Sequence, residues 1–144
     1  MKRPFAACPL PAWACCAALA AALATGCGAR PAPPAAPGGV QTSQGISATL
    51  ATTPAPPHTG DDILVLTLTD AATGAPVGDA NVSATAQMLS PRLPGSPVTG
   101  RAQGNGVYQI PLRLGIATRY SVRVQAQQGA RPPATFIFAL EALQ

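Results

Sequence analysis

From Ile46 onward, apolar residues recur at every second position, in short runs cut apart by proline and glycine. "ILVLTLT" (63–69) is the plainest case. Leu64, Leu66 and Leu68 share one side and Val65, Thr67 and Thr69 the other, a two-residue period that an extended strand turns into two distinct faces. The same alternation runs through "ISATLAT" (46–52), "NVSATAQML" (81–89), "VYQIPLRL" (107–114), "RYSVRVQAQ" (119–127) and "ATFIFALEAL" (134–143), with "VTGRAQ" (98–103) as a short edge strand. The breakers "PAPPHTGDD", "DAATGAPVGDA", "SPRLPGSP" and "GNG" separate these runs. With 17 prolines and 14 glycines in 144 residues, little room is left for long helices. About seven short strands at regular spacing predict an all-β fold, an immunoglobulin-like antiparallel β-sandwich over residues 46–144. Pro111 inside its run predicts an edge position or a bulge. Tyr120 opens the sixth run after a turn, where a tyrosine hydroxyl commonly bonds backbone just upstream; an ordinary core role is the other reading.

The first 27 residues are of another kind. Lys2 and Arg3 form a positive end, an apolar stretch runs from Leu10 to Ala24, and Thr25, Gly26 and Cys27 follow. At about 15 residues the stretch falls short of the ~20 that a spanning helix needs, and the layout is that of an export signal. "LATGC" (23–27) resembles a bacterial lipobox, in which small residues precede a cysteine that is acylated before cleavage. Gly26 and Thr25 fit that pattern; Ala24 stands where leucine is usual, with Leu23 one place early. The resemblance implies a lipoprotein signal peptide at 1–26 and a covalent lipid, palmitate among its chains, on Cys27. Cys8, Cys15 and Cys16 lie in the leader, so Cys27 is left without a disulfide partner or a second thiol for a metal. Cleavage by ordinary signal peptidase is the alternative. Residues 28–45, "GARPAPPAAPGGVQTSQG", have no apolar period and one charge, Arg30. Residues 27–45 are therefore expected to be the lipidated cysteine and a disordered tether.

Charge excludes some partners. The formal net charge is +4, but Lys2 and Arg3 belong to the leader, and the remaining basic residues are scattered arginines. That is not the clustered basic surface of a nucleic-acid binder.

The turn between the second and third long runs carries Asp70, Gly74, Pro76 and Val77, then Ala80 and Val82 leading the next strand; later Gly106, Val107 and Tyr108 open another. This frame resembles the YtkA-like domain, a family related to the FixH-like proteins, over roughly residues 61–140. Transthyretin-like and carboxypeptidase-regulatory-type β-domains use a similar turn. The resemblance implies an extracytoplasmic domain, often linked to copper handling or oxidase maturation. Members commonly carry methionines and histidines after the strand that ends here near Met88; in this chain only Met88 stands there.

The candidate chemistry is thin. Met88 and His58 are the donors for Cu(I), a soft ion that takes two or more thioether, thiolate or imidazole ligands. Each also has a plainer reading, Met88 as a strand-end core residue and His58 as a solvated loop histidine. His58 with Asp61 and Asp62 has donors for a weak cation site. As an acid–base pair the two aspartates lack a nucleophile or a phosphate cradle beside them. Arg113, Arg119 and Arg123 fall on outward positions by parity and are candidate contacts for anionic lipid or an acidic partner. The expectation is a membrane-anchored, non-enzymatic lipoprotein of the cell envelope, facing the periplasm or the exterior. Its partners are the bilayer, through the acylated N-terminus, and a protein of the envelope. No cofactor is expected beyond the lipid on Cys27, with copper handling as the alternative.

Overall fold

The computed structural model describes residues 36–144. The expected leader, Cys27 and the expected tether through residue 35 lie outside the described residues. The rest is all β, in two antiparallel sheets. One runs β1 (Val40–Ser43), β2 (Ile46–Thr53), β3 (Gly60–Asp70), β8 (Val107–Leu114), β7 (Arg101–Gly104). The other runs β10 (Ala134–Glu141), β9 (Arg119–Gln128), β4 (Ala80–Leu89), β5 (Arg92–Leu93), with β6 (Pro97–Thr99) also on β4.

Alternation sets which side chains meet. Leu50, Leu64, Leu66, Leu68, Ile110 and Leu114 point inward from the first sheet. Val122, Val124, Phe136, Phe138 and Leu140 point inward from the second, and all of these residues are essentially solvent-free. Burying each such side chain contributes about 1.5–3 kcal/mol. The predicted inward sets on β3, β8, β9 and β10 are the ones that pack. On β4 only Val82 and Ala84 are fully buried, while Ala86 and Met88 pack at the margin of the core.

Ten strands replace the expected seven or so, and the differences lie in short elements. The run "VTGRAQ" is two strands, one in each sheet. Gly100 lies between them, where a Cβ would sit 3.0 Å from the Ile110 side chain and 3.3 Å from that of Val82. β5 is a two-residue strand, too short to show a period. β1 lies inside the segment expected to be disordered tether, so the folded part begins ahead of Ile46. Val40–Ser43 pairs with Ile46–Thr49 across Gln44 and Gly45, both at positive φ (51° and 76°). Those are the angles of a type I′ hairpin turn. Asn105 (φ 50°) and Gly106 (φ 73°) make the same turn between β7 and β8.

Pro111 sits where an N–H is not needed. Leu68 donates to the Gly106 carbonyl. Alternation along the β3–β8 register then points the Pro111 nitrogen away from its partner Ile63. The β7 ladder stops at Arg101 opposite Gln109, so Pro111 faces an open edge.

Tyrosines lock both ends of the sandwich. The buried Tyr120 hydroxyl donates to the Ile116 carbonyl (3.0 Å) and accepts the Ile116 N–H (3.2 Å), the tyrosine corner anticipated from sequence. At the other end, Tyr108 donates to the Val77 carbonyl (2.9 Å) and accepts the Ala80 N–H (3.0 Å). It pins the turn that carries Gly74, Pro76 and Val77. Asp70 opens that turn and accepts the Thr73 N–H (2.9 Å), the Thr73 hydroxyl (3.0 Å) and the Ala72 N–H (2.9 Å). These bonds to the ionised form hold its carboxyl below the usual 3.8. The folded chain therefore binds this proton less readily than the unfolded one. The stabilisation is complete above pH 3.8 and disappears as pH falls through the lowered value. Asp70→Ala is expected to lower the melting temperature at neutral pH and to flatten its fall in acid; melting curves across pH check both.

Candidate functional site: a groove beside an open strand edge

β10 is an edge strand, and its outer flank is closed by unusual means. The Gln41 side-chain amide donates to the Ile137 carbonyl (2.6 Å) and accepts the Ile137 N–H (2.9 Å). The Ser43 hydroxyl accepts the Thr135 N–H (3.3 Å). Side chains of β1 thus stand in for a neighbouring strand, which blunts an edge otherwise ready to pair. Past Glu141, backbone takes over: Leu143 donates to the Pro57 carbonyl (2.9 Å) and accepts the Thr59 N–H (2.8 Å). Between these two closures lie Ala139 and Glu141. By the alternation of antiparallel pairs their N–H and C=O groups point to the same outer side as those of Ile137. Among the described residues they have no partner there.

A cavity of about 600 Å³ lies at this gap. Ala139, Leu140 and Glu141 form one wall, and Ala55, Pro56, Pro57 and the buried Thr52 another. Leu89 and Tyr120 reach it from the sheet of β10, and Ala36 and Pro37 close it on the N-terminal side. The lining is mostly apolar, with the exposed Arg119–Glu141 pair at 3.8 Å on its rim. Open backbone hydrogen-bonding groups beside an apolar hollow are what an extended polypeptide segment requires: the edge bonds its backbone and the hollow takes a side chain.

The residues singled out from sequence are dispersed around this site. Arg119 borders it. Arg113 is on the other sheet, 3.8 Å from Asp61, with both side chains exposed. Arg123 is exposed on β9 and lines a shallow polar cleft with Thr85, Gln87, Ser121 and Gln125. Outward placement was anticipated for all three, but they do not form one patch, and ion pairs this exposed contribute little. Met88 stands opposite Leu93 and Tyr120 in the strand registers. His58 lies in the β2–β3 loop and bridges Leu143. Its backbone N–H donates to the carboxylate of the buried Asp62 (3.1 Å). Met88 and His58 belong to the same end of the sandwich, and no hydrogen bond or strand register joins them among the described residues. The groove itself was not foreseen. It arises from an interruption in edge pairing, and the only sequence signals were the isolated polar side chains Gln41 and Ser43 in a segment without an apolar period.

Two antiparallel sheets, a tyrosine corner and a lateral groove define an immunoglobulin-like sandwich domain. The sequence model of the YtkA-like family matches residues 40–125, and the chain belongs to that family. The matched stretch starts at β1 and ends within β9, so the edge strand β10 lies beyond it. A crystal structure of a DUF4426 family protein from Pseudomonas aeruginosa PAO1 has a similar fold. The two are 12% identical with a TM-score of 0.52, over 73% of this chain and 96% of that one. No curated protein matches the chain.

Proposed function

We propose that this chain is an extracytoplasmic lipoprotein, anchored through Cys27, whose sandwich is a non-enzymatic accessory module. Its groove receives an extended segment of an envelope partner protein. The Ala139 and Glu141 edge, without a backbone partner among the described residues and beside the apolar hollow, carries this reading.

Site-specific photo-crosslinking in cells tests it. A photoreactive residue at Ala139 is expected to capture a partner polypeptide, and mass spectrometry should map the adduct to an extended stretch with an apolar side chain. The same residue at Thr73, at the far end, should capture none. Equal labelling at both sites overturns the reading. Ala139→Pro removes one edge donor at a position proline tolerates. It is expected to weaken partner affinity about 10-fold, the worth of one lost hydrogen bond of ~1.4 kcal/mol, with little change in melting temperature. Anchoring is tested separately, by fatty-acid labelling that Cys27→Ala should abolish.

Copper handling is the second reading, favoured by Met88 and His58 sharing one end of the sandwich. Two such donors make a weak Cu(I) site that a partner would complete. A Cu(I) competition titration against Met88→Ala and His58→Ala decides it.

A further inference from the structure

The outward arginines of the two sheets are not alike. On the first sheet Arg113 lies 3.8 Å from Asp61, and on the second Arg119 lies 3.8 Å from Glu141. Arg123 has no such partner among the described residues. It is exposed on β9, an inner strand of the second sheet. Its cross-strand neighbours are Thr85 and Ile137, and those along β9 are Ser121 and Gln125. The diagonal ones are Ser83, Gln87, Thr135 and Ala139. None of the eight is ionisable, so no carboxylate stands beside the guanidinium. A solvated sheet face ordinarily intersperses charges of both signs; this one surrounds a single cation with hydroxyls and amides.

Those groups are also free. The side chains of Thr85, Gln87, Ser121, Arg123 and Gln125 make no hydrogen bond to protein among the described residues. They line a cleft of about 380 Å³, to which Ile137 supplies an apolar wall. Thr85, Gln87, Ser121 and Ile137 are half-buried there. Gln125 also borders a second cleft, of about 270 Å³, with Asn81, Ser83 and Gln127, so the polar lining continues along the face.

Each kind of side chain in the cleft has a complement. The guanidinium presents a planar fork that a carboxylate meets with two parallel bonds. Hydroxyls and primary amides both donate and accept, and so match ligand hydroxyls, which do the same. An aliphatic side chain takes the C–H face of a ring. A carboxylate, several hydroxyls and a C–H face occur together in an acidic saccharide. An acidic peptide would engage the guanidinium alone, because β4 and β9 are flanked by strands on both sides and offer it no backbone edge.

We infer that the outer face of β4, β9 and β10 binds an acidic saccharide, with Arg123 on its carboxylate and Thr85, Gln87, Ser121 and Gln125 on its hydroxyls. The cleft shares no lining residue with the groove at the β10 edge, and its ligand does not depend on what that groove receives.

Amide spectra of the isotope-labelled full chain test this, with three ligands titrated in turn. Cellobiouronate is a disaccharide with one carboxylate, cellobiose is its neutral counterpart, and acetyl-Ala-Glu-amide has the carboxylate without the sugar. Cellobiouronate is expected to give saturable shifts at Thr85, Gln87, Ser121 and Gln125, with a Kd on the order of 1 mM. The other two should bind at least about 10-fold more weakly. Arg123→Gln should weaken cellobiouronate binding about 10-fold or more, the worth of a charge-assisted hydrogen bond, at unchanged melting temperature. Arg113→Gln, on the other sheet, should leave it as it is. Shifts that do not saturate, or that fall outside this face, overturn the proposal. Equal binding of the peptide assigns the face to an acidic protein and overturns it. Equal binding of cellobiose, or equal loss in the two arginine variants, removes the role of Arg123 and overturns it as well.

Discussion

Gly106→Ala is expected to remove a large share of the domain's stability, on the order of 3–5 kcal/mol, although it adds a single methyl group. Gly106 is the second central residue of the β7–β8 hairpin, at φ 73°. A Cβ there would collide with the Leu68 carbonyl oxygen and would lie 3.1 Å from the Val77 nitrogen and 3.2 Å from Pro76 Cβ. The first two are backbone atoms of the strand and turn that Tyr108 and the Leu68–Gly106 bond (2.8 Å) hold together, so none can rotate away. Left-handed backbone alone costs an alanine about 1–2 kcal/mol. Displacing hydrogen-bonded backbone adds to that, for a total on the order of 3–5 kcal/mol, against a typical domain stability of about 5–15 kcal/mol. Gly104 supplies the control. Its φ is 96°, yet nothing lies within 4 Å of an added Cβ, so Gly104→Ala should show the backbone cost alone. Denaturant midpoints measure both. Equal, small losses would mean that the crossing at Gly106 is looser than described.

Most of the fold was legible in the sequence because a sandwich strand writes its two faces into alternate residues. The runs on β3, β8, β9 and β10 each hold four or more alternations, and their inward sets were read correctly. Asn105-Gly106 is a strong hairpin signal because both positions need positive φ; Gln44-Gly45 adopts the same angles with a weaker sequence cue, and β1 was missed with it. The Asp70–Ala80 frame and Gly106–Tyr108 carry the likeness to the YtkA-like family. They converge on one corner, where they hold backbone together and lie away from the groove. That explains why the family was readable and the site was not. The groove depends on what β10 lacks on one flank, and a missing neighbour leaves no period in the sequence.

Phe138→Ala is the second large effect, expected at about 3–5 kcal/mol of lost stability. The chain has three phenylalanines; Phe136 and Phe138 both sit on β10 and are fully buried. β10 pairs with β9 on one side only, and on its other flank it has the amide of Gln41, the hydroxyl of Ser43 and then the gap. A strand held by a single ladder must be fixed from its inner face, and the two aromatic rings do that. Ile137, half-buried on the opposite face, should lose far less on truncation to alanine, about 1 kcal/mol or below. Denaturant unfolding of Phe138→Ala and Ile137→Ala separates the two faces, and comparable losses would show that packing on the outer face holds β10 as strongly as the core does. The open edge of β10, the proposed binding edge, then inherits the rigidity of the core. Phe138→Ala should lose partner capture together with its fold, whereas Ala139→Pro, one residue on, should lose capture with the fold intact.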